Sequence, residues 1–175
     1  MGLIAALGRG PVAIDTVAFI YFIEEDPRYL PLVTELFEAV DAGVIVAVTS
    51  MVTLLEVLVV PYRQGDLALG ERYELLLGQS RGLRLLELTR PLLRAAAQLR
   101  AMHRGLRTPD ALQIAAALSA RATSFVTNDR ELPAIPGLPI VKLDDHLGIA
   151  GSDLRSQKQG TAALNRRVAR KRKPE

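Results

Sequence analysis

The sequence predicts an α/β domain of three layers, with helices packed on both faces of a mostly parallel central sheet. Short apolar runs of strand length alternate with segments of helical periodicity from Pro11 to Leu143. Of the residues, 49% are hydrophobic but only 5% are aromatic and none is Trp, so the core is built from Leu, Val, Ile and Ala, a mix suited to helices on a parallel sheet. A length of 175 residues suits one domain, large enough to bury roughly two-thirds of the surface its unfolded chain exposes.

Met1 to Leu7 is apolar, too short for a signal-peptide core and without a basic segment ahead of it, so residues 1–10 read as a loose leader. Pro11-Val12-Ala13-Ile14 then reads as a buried strand ending at Asp15, and Thr16 as the cap of an apolar helix over 17–23. Pro27 and Pro31 break the chain before an amphipathic helix over 32–42, which presents Val33, Leu36, Phe37 and Val40 on one face and stops at Gly43. Val44 to Val48 is a second apolar run of strand length, and Thr49-Ser50 signals the helix over 51–63. Further helices are expected over 66–80 and 91–104, with a strand over 83–88 between them. Thr108 reads as the cap of a nearly all-apolar helix with Pro109 in its first turn, followed by a strand over Ser124–Thr127. Pro136-Gly137-Leu138-Pro139 turns into a last strand over 140–143.

Two compositional facts narrow the function. There is no cysteine, which excludes disulfides, thiolate zinc sites and thiol nucleophiles and fits a reducing cytoplasm. The longest apolar run after the leader, Leu54 to Pro61, contains Glu56 and falls far short of a membrane span, so no membrane association is expected. The net charge of +3 conceals an asymmetry: from Ser152 on there are eight Lys or Arg and two acids, leaving −3 on residues 1 to 151. The domain is therefore placed at 11–148, and 149–175 reads as a basic, disordered tail. Such a tail either adds salt-sensitive attraction to RNA or simply solubilises.

Four acids occupy positions that need a reason. Asp15 and Asp129 follow strands, Asp110 lies in the first turn of a buried helix, and Glu56 has Val52, Thr53, Val59 and Val60 as its helical neighbours. Brought together, their mutual repulsion is tolerable only with a divalent cation among them, and all-oxygen ligands favour Mg²⁺ or Mn²⁺ over zinc. Such an ion orients and acidifies a water and neutralises charge on a phosphodiester, which points to metal-assisted phosphodiester hydrolysis.

Ile14-Asp15-Thr16, Thr49-Ser50 with Glu56 six residues on, Thr108-Pro109-Asp110-Ala111 and Thr127-Asn128-Asp129 together resemble the PIN-domain ribonucleases, and within them the VapC-type toxins of toxin–antitoxin modules. The resemblance runs from about Val12 to Leu143. It implies a PIN-like fold with Asp15, Glu56, Asp110 and Asp129 as the catalytic, metal-binding acids. It also implies Mg²⁺- or Mn²⁺-dependent cleavage of RNA, a cognate antitoxin protein and a homodimer. Val17 departs from the pattern, since many relatives carry Asn after the Asp-Thr or Asp-Ser pair.

Thr16, Ser50, Thr127 and Asn128 are placed to orient ligands or waters, and serve equally well as caps and turn formers. Arg107, just before the site, either holds a substrate phosphate or pairs with a site carboxylate. Taken singly, Asp15, Asp110 and Asp129 also read as ordinary cap or turn residues. A non-catalytic RNA-binding or scaffold protein of the same fold, using the basic tail, is the alternative to a nuclease.

Overall fold

The structure is a computed structural model and describes residues 2–148. The expected basic tail lies outside the described residues. Five strands, β1 (Val12–Ile14), β2 (Ala47–Ser50), β3 (Leu83–Leu86), β4 (Ser124–Thr127) and β5 (Ile140–Lys142), form one sheet in the order β3-β2-β1-β4-β5, with every pair parallel. Seven helices connect and cover them among the described residues: α1 (Leu3–Ala6), α2 (Thr16–Ile23), α3 (Leu30–Asp41), α4 (Met51–Gln64), α5 (Leu67–Gln79), α6 (Arg90–Met102) and α7 (Thr108–Ser119). A 3₁₀ turn, Leu143–His146, follows β5.

The alternation of side chains along each strand sorts the core into two layers. Val12, Ile14, Ala47 and Val126 join the cluster built with α1, α2, α3 and α5. Ala13, Val48 and Phe125 point the other way, into the cluster with α6 and α7. On that second face α7 contributes Ala111, Ala115, Ala116 and Ala117, all essentially inaccessible, and side chains this small let the helix lie close to the sheet.

The strands run outward from β1 to β2 and β3, and the chain then returns to lay β4 on the other side of β1. The crevice at the carboxyl ends of β1 and β4 is therefore the topological switch point, where parallel sheets place their ligands. Gly82 sits where a Cβ would collide with the carbonyl oxygen of Val40, so its lack of a side chain lets the end of α3 approach the start of β3.

Several expectations need correction. The leader is docked, since Leu3 in α1 and Leu7 just after it are buried in the core, at about 1.5–3 kcal/mol for each leucine side chain. The second strand starts at Ala47, where pairing with Val12 and Leu83 begins. Val44 and Val46 precede it, 71% and 47% exposed. The third strand ends at Leu86 rather than Leu88, at the last residue paired with β2. Asp15, not Thr16, is the N-cap of α2. Arg107, not Thr108, is the N-cap of α7, because its extended backbone offers the carbonyl that accepts the first helical N–H, from Ala111.

Candidate active site

Asp15 leaves β1 with its backbone N–H still bonded to the carbonyl of Val126 in β4, which fixes it in the crevice. Its Oδ1 accepts from the Thr16 N–H at 2.8 Å and its Oδ2 from the Thr127 hydroxyl at 2.6 Å. Burial pushes the carboxyl up to about 6; these two bonds act against the shift, while the charges of Glu56 and Asp110 add to it. Glu56 and Asp110 are thus close enough to be felt at Asp15. Among the described residues no ion pair relieves either Asp15 or Glu56.

Asp129 follows β4 by two residues, and its N–H donates to the same Thr127 hydroxyl oxygen at 3.0 Å. One threonine therefore joins Asp15 to Asp129. Asp110 sits in the first turn of α7, at the positive end of the helix dipole. Arg107 bridges these last two acids, from Nε to Asp110 Oδ2 at 2.7 Å and from Nη2 to Asp129 Oδ2 at 2.8 Å. Of the two roles expected for Arg107, the structure shows the pairing with site carboxylates.

Glu56 does not lie on a fully apolar face. It is half-buried, and Val59 and Val60 beside it are each 44% exposed, so the valines flank a rim rather than a core. Its partner is the Thr16 hydroxyl, which donates to Oε2. Beneath it lies Gln113, buried in the middle of the alanine-rich run of α7. Gln113 Nε2 donates to Thr16 Oγ1 at 3.1 Å and to Thr53 Oγ1 at 2.7 Å, and its Oε1 accepts from the Ser50 N–H at 3.3 Å. Thr49 spends its single proton on the carbonyl of Ile14, so in the 2.7 Å contact between Thr49 and Thr53 it is Thr53 that donates. Thr16 Oγ1 also lies 3.3 Å from Thr53 Oγ1, but its proton goes to the nearer Glu56 carboxylate, where one branch of the network ends. Sequence reasoning missed Gln113. The signal was present: an amide enclosed by Leu112, Ile114 and three alanines must find partners inside the protein.

The four acids therefore share one edge of the sheet, linked in the order Glu56, Thr16, Asp15, Thr127, Asp129, Arg107, Asp110. Thr16 and Thr127 touch the carboxylates. Ser50 and Asn128 do not. Ser50 caps α4 through the Val52 N–H and gives its own N–H to Gln113, while Asn128 bonds Tyr21 and the backbone of Asp144. Among the described residues no three acids or histidines are already gathered as a metal cage. The donor chemistry nonetheless fits a hard divalent cation. Every available acid offers carboxylate oxygens, Asp15 is half-buried with like charges near it, and a guanidinium already sits as the cation between Asp110 and Asp129.

The family model described as PIN domain matches residues 12–138. No curated protein matches the chain. Among solved structures the chain is similar to VapBC2 from Rickettsia felis bound to a DNA fragment from their promoter, at 16% identity and a TM-score of 0.57, covering 75% of this chain and 98% of that one. It is also similar to a toxin–antitoxin complex from Klebsiella pneumoniae, at 19% identity and a TM-score of 0.56, covering 73% of this chain and 94% of the other. DNA-bound VapBC from Salmonella typhimurium gives 24% identity and a TM-score of 0.54, covering 76% of this chain and 98% of that one. At these identities the likeness is one of fold.

Proposed function

This chain belongs to the PIN-domain family, and from that premise we propose that it is a divalent-metal-dependent endoribonuclease acting as the toxin of a toxin–antitoxin pair. The observation that carries the reading is the surplus of negative charge at the switch point: four carboxylates on one edge, with Arg107 as the cation that pairs with two of them. The fold it shares with proteins of toxin–antitoxin complexes supports an antitoxin as partner, and the resemblance supports a homodimer. No helix among the described residues is long and apolar enough to cross a membrane. A cytoplasmic location is part of the same proposal.

Asp15, Glu56, Asp110 and Asp129 would hold Mg²⁺ or Mn²⁺. When bound, such an ion supplies an acidified water and offsets charge on the phosphodiester. The chain's own groups prepare that site. Thr127 and the Thr16 N–H each occupy one oxygen of Asp15 and so fix the plane of its carboxylate. Thr16, itself held by Gln113, turns Glu56 toward the same edge. Arg107 balances Asp110 and Asp129, and its guanidinium would suit a phosphate oxygen if a bound cation took over that balance.

The test is cleavage of single-stranded RNA with Mg²⁺, with Mn²⁺ and with EDTA. Cutting is expected with either ion, is expected to stop in EDTA, and is expected to fall at least a hundredfold in Asp15→Asn and Asp110→Asn, on the scale typical of lost charge stabilisation. Cleavage that survives both EDTA and Asp15→Asn overturns the mechanism.

A further inference from the structure

Beside the four carboxylates lies a pair of guanidinium groups on a shared carboxylate that the proposed hydrolysis does not use. Asp144, in the 3₁₀ turn after β5, accepts at Oδ1 from the Tyr29 hydroxyl at 2.7 Å and from Arg28 Nη2 at 3.2 Å, and at Oδ2 from Arg130 Nη2 at 2.6 Å. Its own N–H donates to Asn128 Oδ1 at 3.0 Å, Asn128 Nδ2 donates to the Tyr21 hydroxyl at 3.3 Å, and the Tyr21 ring stacks on Tyr29 at 4.0 Å between centroids. The contacts close on themselves and tie the α2–α3 turn, the end of β4 and the turn after β5 into one frame. Tyr29 is buried, so it belongs to the frame and offers no open ring face for stacking on a base.

The guanidinium groups are different. The side chains of Arg28 and Arg130 are 62% and 72% exposed, and each spends a single Nη2 bond on Asp144, leaving its other N–H groups without an acceptor among the described residues. The two cations share the Asp144 carboxylate, and Asp145 adds a weaker attraction at Arg130. Their positions are fixed in advance. The Arg28 N–H is bonded to Asp26 Oδ1, Pro27 precedes it, and its guanidinium lies 5.1 Å from the centre of the Tyr29 ring. Arg130 directly follows Asp129, so its Cα lies about 3.8 Å from that of a proposed metal ligand.

An RNA strand approaching an acid-lined edge on a body of net charge −3 needs cations next to that edge. A guanidinium with free N–H groups matches the oxygens of a phosphodiester. We infer that Arg28 and Arg130 form a subsite for two backbone phosphates of the RNA strand, one to each guanidinium, next to the phosphate being cut, with Asp144 and Tyr29 as the frame that orients them. The subsite rests on the endoribonuclease reading of the adjacent acids and adds to it where the substrate strand runs.

The test measures binding of a fluorescein-labelled single-stranded RNA of mixed sequence to the full chain in EDTA, by anisotropy from 50 to 200 mM salt. The proteins compared are the unaltered chain, the double variant Arg28→Gln with Arg130→Gln, each single variant, and Arg121→Gln at the opposite end of β4, which matches the single variants in net charge. Each phosphate contact on a single strand contributes about 0.7 to the slope of log affinity against log salt. The double variant is expected to bind more weakly and to lose about 1.4 from that slope, so that its deficit narrows about sevenfold across the salt range. Arg121→Gln is expected to keep the slope of the unaltered chain, and a thermal melt shows whether the double variant remains folded. Arg28→Gln and Arg130→Gln measured singly, each expected to lose about 0.7, replace the pair if it melts early. A chain that cuts RNA with Mn²⁺ while these variants keep its affinity and slope overturns the subsite alone. A chain that neither binds nor cuts RNA overturns the reading of the acids together with the subsite.

Discussion

Asp15 carries a free-energy cost that the metal-free protein must meet. Its carboxyl is raised from an ordinary 3.8 to about 6, chiefly by burial, so the fold favours the protonated form. Because the folded value lies above the unfolded one, the stability this group contributes is fully present below pH 3.8 and is lost as pH rises through about 6. The loss is at most about 3 kcal/mol, at 1.36 kcal/mol per unit. In EDTA, urea unfolding of the unaltered chain is therefore expected to lose stability from pH 4 to pH 7.5 relative to Asp15→Asn, by up to that amount. Equal pH dependence of the two proteins contradicts the assignment. The substitution expected to weaken cleavage is thus expected to stabilise the protein in EDTA at neutral pH, a pairing that a cap alone does not predict and that a ligand position at the cap of α2 does. Of the residues around this site, the acids stood out in the sequence because each sat next to an element end or among valines. The partners that orient them did not, since Thr16, Thr127 and Gln113 differ from ordinary cap and core residues only in what approaches them from sequence positions 37 to 112 away.

At the scale of elements, α7 does two things at once: its first turn delivers Asp110 and its body packs alanines on the sheet. Ala116 is 1% exposed, and the packing has no spare volume for a longer side chain. Ala116→Leu is expected to cost about 1–3 kcal/mol in urea unfolding through overpacking. A neutral result would show that the layer tolerates extra volume and that close approach of α7 does not hold the site. Helix and strand types were legible from periodicity, and Ser124–Thr127 was legible to the residue. Boundaries were less so where a decisive partner is remote in sequence: Val44 and Val46 have the composition of a strand but lie ahead of the residues that β1 and β3 pair with. The leader carried too few residues to show a period, and only burial of Leu3 and Leu7 reveals its place.

For the whole molecule, the strand order β3-β2-β1-β4-β5 is the fact that matters most, because it puts the ends of β1 and β4 side by side. Alternating strands and helices announced a parallel sheet, but not where the order reverses, which depends on pairings between residues more than a hundred positions apart. Charge is organised at the same scale. Carboxylates gather at the switch point of a body with net charge −3, Arg107 pairs with two of them, and Arg130, next to Asp129 in the chain, shares Asp144 with Arg28. That the four acids are a site for a divalent ion is tested most directly by anomalous diffraction from crystals of the full chain soaked in Mn²⁺. The expected result is a manganese peak about 2.0–2.3 Å from carboxylate oxygens of Asp15 and at least two of Glu56, Asp110 and Asp129, with Arg107 drawn off its two partners. Crystals that bind no manganese there, with Arg107 still bridging Asp110 and Asp129, would contradict it.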